Sequence, residues 1–273
     1  MASGVVINTN ISSIHASRVL ARNRNDLETA MARLSSGKRI NSAADDAAGA
    51  AVAAKMRADI KSTDVAVRNI NDAISLFQTF DGAASEVENI LARARELAIQ
   101  ISNDTFDGDD GDVADVEFQA LLKQVDKIAD NVAYNRIALG AAKETITVQL
   151  GADSDDKDNF ETASLKASDL GFKGDLTDLT NAQSAVKDVD KAITALSKAR
   201  ATAGSNINRL SFALSNAQNQ SQRAKEALSG VEDTDYAAES AALARGMVLA
   251  QAGTAMLAQA NQSPQYILTL LRG

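Results

Sequence analysis

Apolar residues recur every three or four positions along two very long segments of this chain. Such spacing is the stripe of an α-helix that packs in a coiled coil or bundle. The two long segments cover about 53–101 and about 189–231, and a shorter one with the same spacing lies between them at 118–132. In chain order we call them the first, second and third rods. At ~1.5 Å rise per residue, the long segments predict helical rods of roughly 65–75 Å. Pro264 is the only proline, so the strongest helix breaker is absent from both rods.

These three rods predict a mainly α fold, a long coiled-coil or antiparallel helical bundle with a small β-hairpin region. Aromatic residues make up 4% of the chain, which favours helices packed side by side over a core built on large rings. Only Arg200 and Ser221 interrupt the stripe of the third rod. The predicted bundle core is Ile70, Ile74, Phe77, Leu91, Val125, Ile128, Ile193, Leu196, Ile207, Leu210, Leu214 and Leu228.

Both ends of the chain carry further helical stripes, with leucines spaced by seven. The C-terminal stripe is rich in Ala and Gly, which lets helix backbones approach closely. Apolar stripes need partners, and these can be each other or neighbouring copies. The stripe residues are Ile14, Leu20, Leu27, Met31 and Leu34 at one end, and Leu243, Met247, Ala250, Leu257, Leu268 and Leu271 at the other.

Local signals predict where the elements begin and end. Gly37 has the position of a C′ glycine after a helix. Asn41 and Ser42 are the predicted N-cap region of the first rod, and the capping box Thr180 to Gln183 opens the third. The alternating β-rich run 145–150, followed by polar turn residues, predicts a short hairpin or two within about 144–176. The acidic segment 104–117 is predicted to be a loop.

Composition and motifs exclude several classes of function. The net charge of −8 without a basic patch argues against a nucleic-acid partner. With no cysteine, the chain has no disulfide and no thiolate site. The N-terminus lacks the features of a secretory signal, and no run of about 18 apolar residues predicts a membrane span. His15 is interpreted as a surface or interface residue, and 104–117 fits no EF-hand register. We therefore predict no enzyme activity, metal or cofactor.

Several sequence blocks resemble the bacterial flagellins. The N-terminal blocks are INTN at 7–10, LETAMAR at 27–33, LSSGKRINSAADDAAG at 34–49, RNIND at 68–72 and RELAIQ at 95–100. The C-terminal blocks are NRL at 208–210, EDTDYA at 232–237 and QAGTAMLAQAN at 251–261. The resemblance implies that 1–40 and 235–273 pair as an inner coiled-coil layer. It implies that 41–234 forms a rod-like bundle with a β-hairpin region at about 144–176, without a variable outer domain.

The same resemblance implies a function. The chain would be a structural subunit that polymerises with itself into the extracellular flagellar filament used for swimming. It would be exported by the flagellar type III apparatus without a cleaved signal peptide. Its other partners would be the export chaperone, the filament cap and hook-associated proteins, with no nucleic acid and no membrane. A hook–filament junction protein of the same family and an intracellular coiled-coil scaffold are the alternatives.

Animal innate-immune receptors recognise flagellins at the Arg-Glu-Leu region of the first rod. Arg93 and Leu97 match that motif, which makes them a candidate receptor surface. Ala92 stands where the motif usually has Gln, and Gln124 stands where a Glu is expected on the second rod. Recognition of this chain is therefore left open by the resemblance.

We expect polymerisation to increase with salt concentration, and more strongly with sulfate than with chloride. Screening reduces the repulsion between copies that each carry a net charge of −8. Excluded salts such as sulfate also strengthen the burial of apolar surface. Light scattering at a fixed protein concentration measures the effect, and scattering that falls as salt rises would contradict it.

Overall fold

The computed structural model describes residues 9–103 and 108–272, and from residue 263 onward it describes the backbone alone. Helices dominate this part of the chain, so the predicted mainly α fold is confirmed. Leu268 and Leu271 lie outside the residues whose side chains are described. The helices are α1 Ile11–Ser36, α2 Ala47–Ile101, α3 Gly108–Asn131, α4 Ala167–Leu170, α5 Leu179–Glu232 and α6 Tyr236–Arg272.

Two antiparallel hairpins supply the β-structure. Strands β1 (Ala133–Tyr134) and β2 (Ile137–Ala138) form the first, and β3 (Thr145–Gln149) and β4 (Lys157–Glu161) form the second. In the second hairpin Thr145 pairs with Glu161 and Gln149 with Lys157. Val148 and Phe160 of this hairpin are buried, so one of its faces joins the core. The second hairpin lies where alternation predicted it, whereas the first was not predicted.

The chain forms two compact units. The terminal unit combines Met1–Ala58 with Ala224–Gly273, and the central unit is Asp59–Arg223. Helices α2 and α5 contribute to both units because each crosses a unit boundary. The division predicted from sequence, at 40/41 and 234/235, lies 18 residues and 11 residues from these boundaries. The contacts that hold residues beyond 40 and before 235 in the terminal unit are described with the site below.

In the central unit α2 packs antiparallel to both α3 and α5. Arg95 on α2 pairs with Asp190 on α5 at 2.7 Å, and Asp64 near the other end of that α2 segment accepts a hydrogen bond from Ser221. Arg93 on α2 pairs with Glu117 on α3 at 2.9 Å. A single hydrophobic cluster lies between the helices and under the second hairpin. Its aromatic members Phe77, Phe80, Phe118, Phe160 and Phe172 are almost completely buried.

Most of the predicted core residues lie in this cluster. Ile70, Phe77, Leu91, Val125, Leu196 and Leu210 are fully buried. Ile74, Ile128, Ile193, Ile207 and Leu214 are partly buried and pack against the buried ones. Leu228 is the exception, since it belongs to the terminal unit and is only half-buried.

The two polar interruptions of the third stripe have partners on α2. Arg200 binds Asp81 at 2.8 Å and also pairs with Glu88. The Ser221 hydroxyl, which is buried, donates to the Asp64 carboxylate at 2.6 Å. A polar group at a helix seam is costly without a hydrogen-bond partner and acceptable with one. Both interruptions therefore fix the register of α5 on α2.

The loop predicted over 104–117 is wrong from Gly108 onward, where α3 begins. Asp109 and Asp110 lie in its first turn, and carboxylates there are favoured by the helix dipole. Gly111 is buried, and a Cβ at this position would stand 2.7 Å from the Leu176 carbonyl oxygen. The glycine that suggested a loop is therefore required for a close approach within a helix.

The C′ assignment of Gly37 is confirmed, but both N-cap predictions are displaced. Gly37 has φ 72° and donates its N–H to the Arg33 carbonyl. Helix α2 begins later than predicted, and Asp46 accepts from the Gly49 N–H at 2.9 Å. Helix α5 begins at Leu179, and Asp178 accepts from the Asn181 N–H at 2.8 Å. At both starts an aspartate near the predicted cap accepts the free backbone N–H.

We expect Leu210→Asp to destabilise the central unit by about 4 kcal/mol or more, since it buries a carboxylate and removes apolar burial. Leu210 is completely buried in the cluster. The measurement is the thermal midpoint followed by helical circular dichroism. Phe212→Asp is the matched control, because Phe212 lies two residues away on the same helix and is 78% exposed. Equal midpoints for the two variants would show that the seam is assigned incorrectly.

Candidate functional site

The terminal unit is built on an antiparallel pair of helices, α1 and α6. The Asn10 side chain donates to the Ala260 carbonyl at 2.7 Å, and the Asn23 side chain donates to the Gly246 carbonyl at 2.8 Å. Near the other end of α1, Arg33 lies 3.7 Å from Glu239. Asparagine amides that bond the partner's backbone fix the register of two apolar stripes that would otherwise slide.

Glycines on α6 receive leucines of α1. A Cβ at Gly246 would stand 2.7 Å from Leu27 Cδ2 and 2.9 Å from its Cγ. A Cβ at Gly253 would stand 3.3 Å from Leu20 Cδ1. The glycines and the leucines are each seven residues apart, so two successive leucine knobs enter two glycine holes. This fit was missed at the sequence level, although a Gly pair spaced by seven opposite a Leu pair was its signal.

The predicted terminal stripe divides into two groups. Leu20 is buried, and Leu27, Leu34, Leu243, Ala250 and Leu257 are half-buried. Ile14, Met31 and Met247 are exposed at 60%, 51% and 56%. The seven-residue repeat therefore describes the half facing the partner helix, whereas Ile14, Met31 and Met247 are left uncovered by it.

An uncovered apolar groove runs along the α1–α6 pair. Its lining includes Ile11, Val19, Leu249 and Met256, which are 68%, 49%, 53% and 64% exposed. His15 also lines this groove, in agreement with its interpretation as a surface or interface residue. We call this groove, with these four apolar residues, the terminal groove. Monomeric soluble proteins rarely expose a contiguous apolar patch of this kind without a partner for it.

A cluster of ion pairs and hydrogen bonds around Glu232 joins the α1–α2 connection to the α5–α6 connection in the terminal unit. We call it the Glu232 cluster. The Glu232 carboxylate is buried and pairs with Lys38 and Arg57 at 2.5 Å each. The Arg39 side chain donates to the Val231 carbonyl at 2.7 Å. The Thr234 N–H bonds the Gly37 carbonyl at 3.0 Å. These contacts hold residues on both sides of the predicted domain limits within one unit, and no local sequence signal reveals them.

The stability that the Glu232 cluster contributes depends on pH. The hydrogen bond from Lys38 lowers the pKa of the Glu232 carboxyl below its ordinary value, against the opposing effect of burial, and Arg57 lowers it further. A carboxyl with a lowered pKa stabilises the folded state above its ordinary pKa. That contribution is lost as pH falls through the lowered value. The Glu232 cluster therefore contributes its full stabilisation of the folded state at neutral pH.

Over Tyr236–Gln262, α6 is long and apolar enough by length and composition to cross a membrane. The expectation that no segment would meet this criterion is wrong. The mean hydropathy of this Ala- and Leu-rich helix is high enough for a membrane span even though Glu239 and Arg245 interrupt the apolar run. Only 6% of this apolar stretch of α6 is buried, so the apolar surface of the helix is largely uncovered.

The candidate receptor residues occupy different environments. Arg93 is exposed and pairs with Glu117 on α3 and with Glu96. Leu97 is buried in the central cluster, and Gln124 is exposed on α3. The acidic partner of Arg93 on α3 is Glu117, and position 124 carries a glutamine. Immune recognition at these residues stays a prediction.

Across 9–103 and 108–272, no group of three His, Cys, Asp or Glu residues could hold a metal ion. The terminal groove is an apolar surface formed by two helices, and such a surface is suited to contact with another helix.

Two family models match most of the chain. Residues 7–145 match the bacterial flagellin N-terminal helical region, and residues 186–271 match the bacterial flagellin C-terminal helical region. The chain belongs to the bacterial flagellin family. Flagellins are structural, non-enzymatic proteins that assemble into the flagellar filament, and the chain is a filament structural subunit of this kind.

Full-length relatives agree with this assignment. A flagellin of Halalkalibacterium halodurans is 41% identical, with 98% of this chain and 100% of that protein covered. A flagellin of Listeria monocytogenes is 36% identical, with 97% and 99% covered. A putative flagellar hook-associated protein of Vibrio parahaemolyticus covers 69% of this chain and 100% of its own, with a TM-score of 0.58 and 9% identity. That likeness concerns the fold alone, so the hook–filament junction alternative has no support.

We expect Gly246→Val to loosen the α1–α6 pair of this flagellin by about 1–3 kcal/mol, because the added methyls displace Leu27. Hydrogen exchange of α6 amides should then be faster by about tenfold or more. Gly230→Val is the matched control in the same unit, since a Cβ there has open space. Equal protection in the two variants would show that the glycine hole does not hold the pair.

Proposed function

We propose that this flagellin polymerises into the filament through its terminal groove, which a second copy of the chain covers. The observation that carries the proposal is the exposure of Ile11, Leu249 and Met256 on a helix pair whose remaining stripe is already used by its partner helix. An apolar face that the chain itself leaves open is favourable to cover, at roughly 25 cal/mol per Å² of apolar surface.

A second copy fits the terminal groove for geometric reasons. The groove follows two helices, so a long helical stripe is its natural complement. The same chain offers such stripes on the outer faces of α1 and α6, at Ile14, Met31 and Met247. Stability gained from neighbours would add to the limited burial within one pair, so folding and assembly of this layer are coupled.

The proposed layout assigns 1–40 and 235–273 to the inner coiled-coil layer of the filament. Residues 41–234, with their hairpin region, form the layer around it. The chain is an extracellular filament component without enzymatic activity, exported by the flagellar type III apparatus without a cleaved signal peptide. By family resemblance, its other partners are the export chaperone, the filament cap and hook-associated proteins.

We expect Leu249→Asp to abolish polymerisation while the thermal midpoint of the monomer stays unchanged. Leu249 lines the terminal groove and is 53% exposed, so a carboxylate is solvated in the monomer and unpaired in the polymer. Sedimentation under conditions where the unmodified chain assembles measures the polymer. Circular dichroism measures the monomer.

Ser215→Asp is the control, because it adds the same charge at an exposed polar position of α5 in the central unit. This control should sediment as the unmodified chain does. If Leu249→Asp polymerises at the protein concentration at which the unmodified chain does, the assignment of the terminal groove is contradicted. Failure of the unmodified chain to polymerise under any salt condition would contradict the function itself.

A further inference from the structure

The first hairpin closes with a backbone conformation that one of its residues does not favour. Asn135 and Arg136 alone join β1 to β2, and we call them the hairpin turn. Both have positive φ, 48° and 68°. Positive φ at both central residues is the pattern of a type I′ turn, in which Asn-Gly and Gly-Gly are preferred. Asparagine tolerates this left-handed region, whereas a long side chain such as arginine is strained there.

The backbone pairing of β1 with β2 holds the turn, but no contact of the Arg136 side chain within the described chain compensates for this strain. The Arg136 side chain is exposed, and it has no hydrogen bond, ion pair or ring contact with another described residue. Other arginines of the same unit do have acidic partners: Arg95 pairs with Asp190, and Arg200 pairs with Asp81. Strain held at an exposed, unpartnered residue indicates a contact outside the folded chain.

We propose that Arg136 binds a carboxylate of a second copy of the chain in the polymer. This inference rests on the proposed function, because it requires that copies assemble. The charge balance supports the choice of partner, since 36 acidic residues against 28 basic ones give an identical neighbour a net charge of −8. A guanidinium is well suited to a carboxylate because it can donate two parallel hydrogen bonds.

The hairpin turn also presents the arginine favourably. A two-residue turn fixes the backbone position of the side chain, which reduces the entropy lost on contact. Ile137, next to Arg136, is 46% exposed and adds apolar surface to the same tip. Charged groups across an interface fix the register of the partners, so a charge at this tip is suited to orienting a neighbouring subunit.

The test is Arg136→Gly. Glycine suits the left-handed position, so the thermal midpoint of the monomer should stay the same or rise. The critical concentration for polymerisation should nevertheless increase about tenfold, the effect of losing one interfacial charge pair. High salt should reduce this difference, because screening weakens the pair in the unmodified protein. Separate effects on the monomer and the polymer distinguish a contact residue from a structural one.

Two controls isolate the arginine. Asn135→Gly changes the same turn but keeps the cation, and Lys123→Gln removes one positive charge from an exposed position on α3. Both should polymerise within about twofold of the unmodified chain. If Arg136→Gly lowers the midpoint, Arg136→Asn replaces it, because asparagine also tolerates positive φ. A raised critical concentration for Arg136→Asn then supports the contact.

An unmodified critical concentration for Arg136→Gly, or for Arg136→Asn where that variant replaces it, overturns the inference and leaves the proposed function intact. An equal increase for Lys123→Gln also overturns it, because net charge alone would then explain the effect. If the unmodified chain does not polymerise at all, both the inference and the proposed function fail.

Discussion

Burial of small side chains along packed helices is the constraint on which both units depend. In the central unit the buried residues of α2 include Ala84 and Ala94, and those of α5 include Ala185 and Ala192. Each alanine removes little apolar surface from water, so burial must accumulate along the helix rather than at a few large residues. This explains helices of 55 and 54 residues in a chain of 273. Larger side chains meet where other elements join the helices, since Phe77 of α2 contacts Phe160 of the second hairpin and Phe118 of α3 contacts Phe172.

The terminal unit carries the same principle further, because glycine replaces alanine at the closest contacts. Gly246 and Gly253 let α1 and α6 approach, and Leu27 and Leu20 fill the space. A seam of this kind leaves much of each helix unburied, as the exposure of Met256 shows. Incomplete burial is a weakness in a monomer but an advantage in a subunit, since the missing burial becomes available when copies associate.

Polar contacts supply the register that a uniform alanine stripe cannot. Arg200 with Asp81, and Ser221 with Asp64, set α5 on α2. Asn23 sets α1 on α6, and Glu232 joins the two chain connections of the terminal unit through Lys38. Each group is satisfied by a partner far along the chain, so each contributes specificity at a tolerable desolvation cost. Arg136 stands apart from this set, because its partner is not found among the described residues.

Periodicity alone determined the helical class, the two long segments and the shorter one, and most of the central core, since apolar residues such as Ile70, Leu91 and Leu210 follow the 3.6-residue repeat. The C′ role of Gly37 was also local, because a left-handed residue after a helix needs only its own backbone. Only the tertiary structure decided the start of α3, where Gly111 is required by the backbone of Leu176 rather than by a turn. The tertiary structure also decided the unit boundaries, because Glu232 pairs with Lys38 and Arg57, which are distant in sequence. It decided the first hairpin as well, because the hairpin turn has no glycine from which a turn could be predicted. Local signals report the conformational preference of a segment, whereas these features depend on which distant residue stands opposite.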